Sequence, residues 1–243
     1  MTLFRIKKIC LLVTNWHFVR ALLSGVAATV EHRKILSQID NCSVVIDGGA
    51  NKGQFAVLAH SLWPSASIFC FEPLDEPRSQ LERLTRSIRD IRVFPLALHS
   101  TQCSMQMFLT KRRDSSSLFR PEGPKDCTAD QYQVADGVTE IRTTTLDQWA
   151  TLESTGTIDL IKLDLQGGEL QALIGAADSL KSTRFIFCEL SYRRTYQGQP
   201  LCTEVITWLA QHGFNLVGVS PSPYGVDAWE ADFLFKNSSF SGV

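Results

Sequence analysis

The sequence lacks an excess of charge of either sign, closely spaced cysteines and histidines arranged to bind a metal. Its 24 lysines and arginines balance 25 aspartates and glutamates to a net charge of -1. No overall basic field attracts nucleic acid, so we expect no nucleic-acid partner. The seven cysteines never occur as Cys-x-x-Cys, and the five histidines never occur at ligand spacing. We therefore expect reduced thiols, a cytoplasmic protein and no metal site.

The sequence also lacks a long hydrophobic run without interruption. The most apolar stretch, Ile9–Val30, contains Arg20 near its middle, and a charge at the centre of a bilayer costs roughly 2.5–3.5 kcal/mol. We expect no stable membrane span but a helical segment, residues 1–40, that packs on a main domain, residues 41–243. Its packed face is predicted to contain Trp16, Val19, Leu22 and Leu23. Peripheral membrane contact is the alternative, because three basic residues precede the run: Arg5, Lys7 and Lys8.

Continuous hydrophobic strands alternate with helices beyond residue 40, which predicts an α/β fold of Rossmann-like type. The last two strands have only a short loop between them and should pair antiparallel. Residues 103–145 read as a β-rich insertion without a helix. The predicted strands are Ser43–Asp47, Ser67–Glu72, Arg92–Leu98, Ile158–Leu165, Arg184–Leu190, Phe214–Val219 and Ala231–Lys236. The predicted helices are Gln54–Leu62, Glu76–Arg89, Glu169–Leu180 and Thr203–Gly213.

A glycine turn stands between the first strand and its helix, in "VVIDGGANKGQFAVLAH" (Val44–His60). A dinucleotide-binding turn has the spacing G-x-G-x-x-G. Counted from Gly49, that template meets Asn51 where its second glycine belongs, and counted from Gly48 it meets Ala50. The spacing therefore favours a nucleotide-type ligand that has no phosphate.

Four residues of this turn are predicted to bind that ligand. Gly49 and Gly53 allow the backbone to approach it closely, and Asn51 tolerates a left-handed turn. Asp47, at the carboxyl end of the strand, is expected to orient a ligand ammonium, directly or through water. The alternative is that these residues only make a tight turn.

An acidic residue at the end of the second strand completes the pattern. Glu72 lies about 20 residues beyond Gly53, where a carboxylate can accept both ribose hydroxyls. The alternative is that Glu72 merely ends a strand. Leu98, after the third strand, is expected near the adenine by analogy with such folds.

Several further motifs resemble the FkbM family of S-adenosylmethionine (SAM) methyltransferases. They include the turn with its "FEP", "DSSSL" (Asp114–Leu118), "TTTLDQW" (Thr143–Trp149), "IDLIKLDLQGGELQALIGA" (Ile158–Ala176) and "LAQHGF" (Leu209–Phe214). The resemblance covers roughly Val44 to Phe235. It implies a class I methyltransferase fold and SAM as cofactor. Family members commonly have a glutamate where this chain has Gln166, which argues against a catalytic role at that position.

Three carboxylates are candidates for the base that a hydroxyl acceptor requires. Asp164 ends the fourth predicted strand of the main sheet, Glu189 ends the fifth, and Glu169 lies in a first helical turn, where an acid also favours the helix dipole. Each has a structural alternative, such as fixing the turn after Asp164. Two polar loops, Ser115–Ser117 and Ser191–Pro200, are candidates for the acceptor side.

The sequence thus predicts a SAM-dependent methyltransferase that O-methylates a hydroxyl of a small molecule or glycan. The acceptor half of this prediction rests on the family resemblance. Alternatives are N-methylation, a protein or lipid-linked acceptor, an NAD-dependent oxidoreductase, and a non-catalytic SAM-binding module. The oligomeric state is left open.

Overall fold

The computed structural model describes residues 15–110, 113–122, 134–220 and 229–240. The strands are β1 Val44–Gly48, β2 Ser67–Phe71, β3 Ile91–Phe94, β4 Ala97–Leu98, β5 Ser104–Thr110, β6 Val134–Thr144, β7 Ile158–Leu163, β8 Thr183–Ser191, β9 Phe214–Val219 and β10 Glu230–Asn237. The helices are α1 Trp16–Leu23, α2 Arg33–Leu36, α3 Gln54–Leu62, α4 Asp75–Thr85, α5 Leu146–Leu152, α6 Glu169–Ile174 and α7 Cys202–Gln211. Short 3₁₀ helices lie at Val30–His32, Arg113–Ser115 and Ser179–Ser182.

Seven strands form the main sheet in the order β3-β2-β1-β7-β8-β10-β9. All neighbours are parallel except β10, which runs antiparallel to both β8 and β9. The predicted parallel sheet with an antiparallel strand pair at its end is confirmed. The chain leaves β1 toward β2 on one side and returns to β7 on the other. This reversal of strand order opens a crevice at the carboxyl ends of β1 and β7, where ligands bind in such sheets.

Hydrophobic cores cover both faces of the sheet. One core joins α3 to alternate residues of the strands, including Val45, Leu160 and Phe187. The other core joins α5, α6 and α7 to the strand residues on the opposite face of the sheet, including Ile46 and Ile161. All six residues of β7 are buried as a result, which explains why four of them are apolar.

The N-terminal helix packs with a different face from the one predicted. Phe18 and Ala21 are fully buried in the core that contains α3. Trp16 and Leu23 are 70% and 81% exposed. The prediction was wrong because it followed other apolar residues of the helix. Phe18 and Ala21, three residues apart, lie on the face that packs. Residues 1–14, including the three basic residues before the apolar run, lie outside the described ranges.

The predicted third strand is in fact two strands in two sheets. β3 ends at Phe94, and β4 pairs with β6 in a small sheet of order β4-β6-β5. Pro95 separates them, since proline has no N–H to donate to a strand ladder. The small sheet is the predicted β-rich insertion, although much of its loop lies outside the described residues.

Three helices differ from their predictions by more than two residues. The helix predicted over Glu76–Arg89 is α4, which ends at Thr85. The helix from Glu169 ends at Ile174, because glycine is unfavourable within a helix and Gly175 lies against the backbone of His99. Helix α5 was not predicted, although Thr145 caps it by accepting a hydrogen bond from the Gln148 N–H at 3.1 Å. In the described ranges, no helix is both long enough and apolar enough to cross a bilayer.

Candidate active site

The turn between β1 and α3 lies at the carboxyl edge of the sheet and is tightly packed against protein. Gly49 has φ +72°, and a Cβ there would lie 2.0 Å from the carbonyl oxygen of Asp164. Gly53 has φ +94°, and a Cβ there would lie 2.7 Å from Leu81. Asn51 is left-handed at φ 47°, as predicted from its residue type. The close approaches of both glycines are therefore made to the protein's own side chains and backbone.

Glu72 connects this turn to the end of β2. Its Oε2 accepts a hydrogen bond from the Asn51 N–H at 2.9 Å, and its Oε1 accepts one from the Leu74 N–H at 2.9 Å. The side chain is buried, and the desolvation raises the pKa of this carboxyl to about 7 despite both hydrogen bonds. Glu72 thus holds the loops after β1 and β2 together at the predicted ribose position.

Asp47 is completely buried and faces Lys162 of β7. The Lys162 Nζ lies 3.1 Å from Asp47 Oδ1 and donates to the carbonyl oxygen of Gly49 at 3.0 Å. Desolvation raises the pKa of Asp47, while the nearby carboxylates outweigh burial and raise the pKa of Lys162. A ligand ammonium was expected beside Asp47, and the structure places the Lys162 ammonium there.

Lys162 was a motif residue without an assigned role. In the sequence, Lys162 lies inside a strand whose other residues are apolar except for Asp159. Asp159 forms an ion pair with Arg184. Because a buried charge requires a partner, this pattern points to a nearby carboxylate. The structure shows which carboxylate it is.

Asp164 and Glu189 are brought together at the ends of β7 and β8. The side-chain amide of Gln166 donates to Asp164 Oδ1 at 2.9 Å and to Glu189 Oε2 at 3.2 Å. The Asp164 side chain is 38% exposed. Burial, followed by the charge of Asp164, raises the pKa of Glu189 well above its usual range. The pair therefore combines one carboxyl group that is partly exposed with one whose charged form is disfavoured by burial.

Glu169, the third candidate base, lies in a different position. Its Oε1 accepts hydrogen bonds from the Leu165 N–H at 2.6 Å and the Gly167 N–H at 3.3 Å. The residue is buried, and desolvation raises its pKa to about 7. These contacts make Glu169 the internal brace of the turn that carries Asp164 and Gln166.

Two polar loops close over this turn from the acceptor side. Ser117 donates through Oγ to the Gln166 carbonyl oxygen at 2.7 Å. Tyr196 is almost fully buried, and its hydroxyl is within 2.8 Å of both the Ser115 carbonyl oxygen and Gln166 Oε1. Sequence reasoning had placed both loops near the acceptor, but it had no signal for their contact with Gln166.

Leu98 occupies the interior beneath the β1 turn. It is buried, and its Cδ1 would lie 3.1 Å from a Cβ at Gly48. Its strand, β4, belongs to the small sheet, and the place of Leu98 near the adenine stays a prediction.

Comparison with known proteins agrees with this geometry. The family described as methyltransferase FkbM domain matches residues 47–216, which is more than half of the chain. This chain belongs to that family. FkbM methyltransferases take their methyl group from SAM, so the predictions of the family, a methyltransferase activity and this cofactor are confirmed.

Individual proteins are also similar to this chain. The 2-O-methyltransferase NoeI of Sinorhizobium fredii (strain NBRC 101917 / NGR234) is 28% identical over 229 residues, which cover 91% of this chain and 90% of NoeI. The antimetabolite synthetase AmbE of Pseudomonas aeruginosa is 26% identical over 72% of this chain but only 10% of the synthetase. A candidate rRNA methylase of Clostridium thermocellum has a similar fold, with a TM-score of 0.51 at 9% identity over 87% of this chain and 98% of that protein.

The residues of this FkbM protein fit the cofactor chemically. Asn51 Oδ1 is buried at the β1 turn and has no hydrogen-bond partner among the described residues. SAM has hydroxyl and ammonium donors to offer such an acceptor. Glu72 and the glycine turn provide further oxygen atoms at the same edge of the sheet.

Proposed function

We propose that this FkbM protein transfers the methyl group of SAM to a hydroxyl of a small molecule or glycan. The observation that carries the proposal is the Asp164–Glu189 pair at the crevice. SAM supplies an activated methyl group, so the protein must position the acceptor and remove its proton. Asp164 has the accessible side chain, 38% exposed, and is assigned as base, while Glu189 is assigned to hold the acceptor through a hydrogen bond. The homology to a 2-O-methyltransferase supports a hydroxyl acceptor.

The remaining site residues receive separate roles in this proposal. Glu72, Asn51, Gly49 and Gly53 are assigned to the cofactor, together with Leu98 from below the turn. Asp47 is assigned to act indirectly, through Lys162. Glu169 is assigned a structural role, because both of its bonds brace the turn rather than face the pair.

We also propose a cytoplasmic location and a covering role for the N-terminal segment, residues 1–40, over the methyltransferase domain, residues 41–243. The five described cysteines form no disulfide among themselves, which suits a reducing compartment. Phe18 and Ala21 share the hydrophobic core of α3, which supports a segment that packs on the domain.

The cofactor and acceptor are tested with purified protein. Calorimetric titration with SAM, S-adenosylhomocysteine and NAD should show micromolar binding of the two sulfur ligands and none of NAD. Incubation with SAM and a panel of glycans, polyhydroxy compounds and amines, followed by mass spectrometry, should show one added CH2 on a hydroxyl compound. Transfer to an amine or to protein instead would contradict the hydroxyl acceptor while leaving the methyltransferase activity intact.

Asp164→Asn tests the base. The amide cannot accept the proton of a hydroxyl, so we expect turnover to fall by about 10²–10⁴-fold, the range for loss of a general base. Binding of SAM should change by less than about 2-fold, as measured by calorimetry. Turnover within about 3-fold of the unmodified protein would remove Asp164 from the base position.

A further inference from the structure

Both polar atoms of the Gln166 side chain have hydrogen-bond partners within the active site. A glutamine amide has two N–H donors and one carbonyl acceptor group. The two donors reach Asp164 at 2.9 Å and Glu189 at 3.2 Å, and the carbonyl oxygen lies 2.8 Å from the Tyr196 hydroxyl, which donates to it. The reversed amide would place its oxygen against two carboxyl groups. Its orientation is therefore determined by all three partners together.

The backbone of Gln166 is held in an unfavourable conformation. Its φ of 53° lies in the left-handed region, which residues other than glycine, asparagine and aspartate adopt rarely. Ser117 Oγ donates to its carbonyl oxygen at 2.7 Å. Such a conformation is unfavourable and persists where surrounding contacts compensate it. Here it directs the Gln166 side chain between two strand ends.

Tyr196 is in turn held by the two loops that close the site. Its hydroxyl also lies 2.8 Å from the Ser115 carbonyl oxygen. The Gln197 N–H donates to the Arg120 carbonyl oxygen at 2.8 Å, and the Glu122 N–H donates to the Thr195 carbonyl oxygen at 3.0 Å. The insertion and the loop after β8 thus form one braced unit above Gln166.

We infer that Gln166 is a positioning residue for methyl transfer, which holds the side chains of Asp164 and Glu189 at a fixed separation while Tyr196 fixes the orientation of its amide. The inference rests on the proposed function for the assignment of Asp164 as base. It goes beyond that function by naming a neutral residue that makes the two carboxyl groups act as a pair. Without its two donors, the carboxyl groups would repel each other or protonate separately.

The charges around the pair explain why a neutral residue suits position 166 in this chain. Glu189 is faced by Asp164 after β7, by Glu169 of α6, and by Glu230 and Asp232 of β10. Lys162 of β7 provides a positive charge nearby, with its Nζ 3.8 Å from Asp164 Oδ2. Asp232 is itself paired with His32 at 3.1 Å. Burial and these acids already raise the pKa of Glu189. A further negative charge at position 166 would raise it again and would remove both donors.

The test compares Gln166→Glu with Gln148→Glu, the same substitution on the exposed surface of α5. Carboxyl groups of ¹³C-labelled protein are titrated by NMR, which requires no acceptor. We expect the titration midpoint of Glu189 to move up by about 1 pH unit in Gln166→Glu and to stay unchanged in Gln148→Glu. Both proteins should bind SAM within about 2-fold of the unmodified protein. Unmoved midpoints in a folded, SAM-binding Gln166→Glu protein would overturn the inference.

Activity with an identified acceptor gives the second readout. The acidic limb of the kcat–pH profile should move to higher pH in Gln166→Glu, while the KM for SAM stays within about 2-fold. Tyr196→Phe removes the hydroxyl that contacts both the Gln166 amide oxygen and the Ser115 carbonyl oxygen. It serves if Gln166→Glu does not fold, and it should lower kcat by about 10-fold with unchanged SAM binding. Unchanged kcat in Tyr196→Phe would contradict the role given to Tyr196. If the acceptor is an amine, the proposed function fails, yet the NMR titration still decides whether Gln166 couples the two carboxyl groups.

Discussion

At the scale of single residues, several side chains that were predicted to bind the ligand contact protein groups in the structure. Glu72 was predicted to accept ribose hydroxyls, and both of its oxygens accept backbone N–H groups in the described structure. Each carboxylate oxygen has a second lone pair, so these contacts orient the group without exhausting it. The same acid can therefore organise the turn and bind the cofactor.

Glu72→Gln tests this double role. The amide nitrogen of glutamine cannot accept from a backbone N–H, so one of the two bonds is lost whichever way the amide turns. We expect SAM binding to weaken by about 1–3 kcal/mol, the scale for a hydrogen bond to a charged group, measured by calorimetry. Glu153→Gln, whose carboxylate pairs with Arg92, serves as the control. Equal affinities for both variants would place the ribose elsewhere.

Lys162 and Asp47 form the buried ion pair beneath the turn. Lys162→Met leaves the Asp47 carboxylate buried without its cation, which costs about 3–5 kcal/mol in comparable pairs. Urea denaturation should show that loss in the free energy of unfolding. Adding Asp47→Asn to Lys162→Met should restore part of it, because the uncompensated charge is then absent. A single variant as stable as the unmodified protein would show that the pair contributes nothing to the fold.

At the scale of elements, most strand and helix positions follow from hydrophobic patterns. α3 begins and ends at the predicted residues, as does β9, because each has a clear apolar period between a glycine and a loop. Two of the errors fall where a single residue interrupts a pattern, at Pro95 and Gly175. The turn after β1 was identified by its glycines. The contact that requires glycine at position 49 comes from Asp164, after β7, and the sequence around β1 does not reveal it.

Gly49→Ala tests the packing of that turn. The added Cβ would stand 2.0 Å from the Asp164 carbonyl oxygen at φ +72°, so the ends of β1 and β7 must separate. We expect the free energy of unfolding to fall by about 2 kcal/mol or more, together with a loss of SAM binding. Gly156→Ala is the matched control, because a Cβ there meets nothing within 4 Å. Similar melting temperatures for the two variants would show that the strand ends are loosely packed.

At the scale of the whole molecule, burial of several acids predicts how stability depends on pH. The pKa values of Glu72 and Glu169 are raised to about 7, and burial raises those of Asp47 and Glu189 in the same direction. The folded protein therefore binds more protons than the unfolded chain near neutral pH. This stabilising contribution is complete below the ordinary carboxyl pKa and is lost as the pH rises through about 7.

Denaturation of the cofactor-free protein between pH 6.5 and 8 should show this dependence. We expect the free energy of unfolding to fall by about 1–2 kcal/mol as the pH rises over this interval, from Glu72 and Glu169 together. Below that interval His60 and His99, whose pKa values burial lowers, oppose the trend. The double variant Glu72→Gln/Glu169→Gln should lose the part of the slope that these two carboxyl groups contribute, while any part due to Asp47 and Glu189 stays. An unchanged slope in that variant would assign the titration to other groups.

The sequence by itself determined the order of strands and helices, the glycine turn, the methyl donor and the family. These depend on short-range patterns of apolar residues, glycines and acids, which can be read along the chain. It also identified Asp164 and Glu189 as candidates, since each stands at a strand end. Only the tertiary structure decided which groups meet: Lys162 with Asp47, Gln166 between Asp164 and Glu189, and Tyr196 above Gln166. The physical reason is that adjacent parallel strands bring their carboxyl ends together from distant parts of the chain. The energy of a charge or an amide there depends on neighbours that no local pattern specifies.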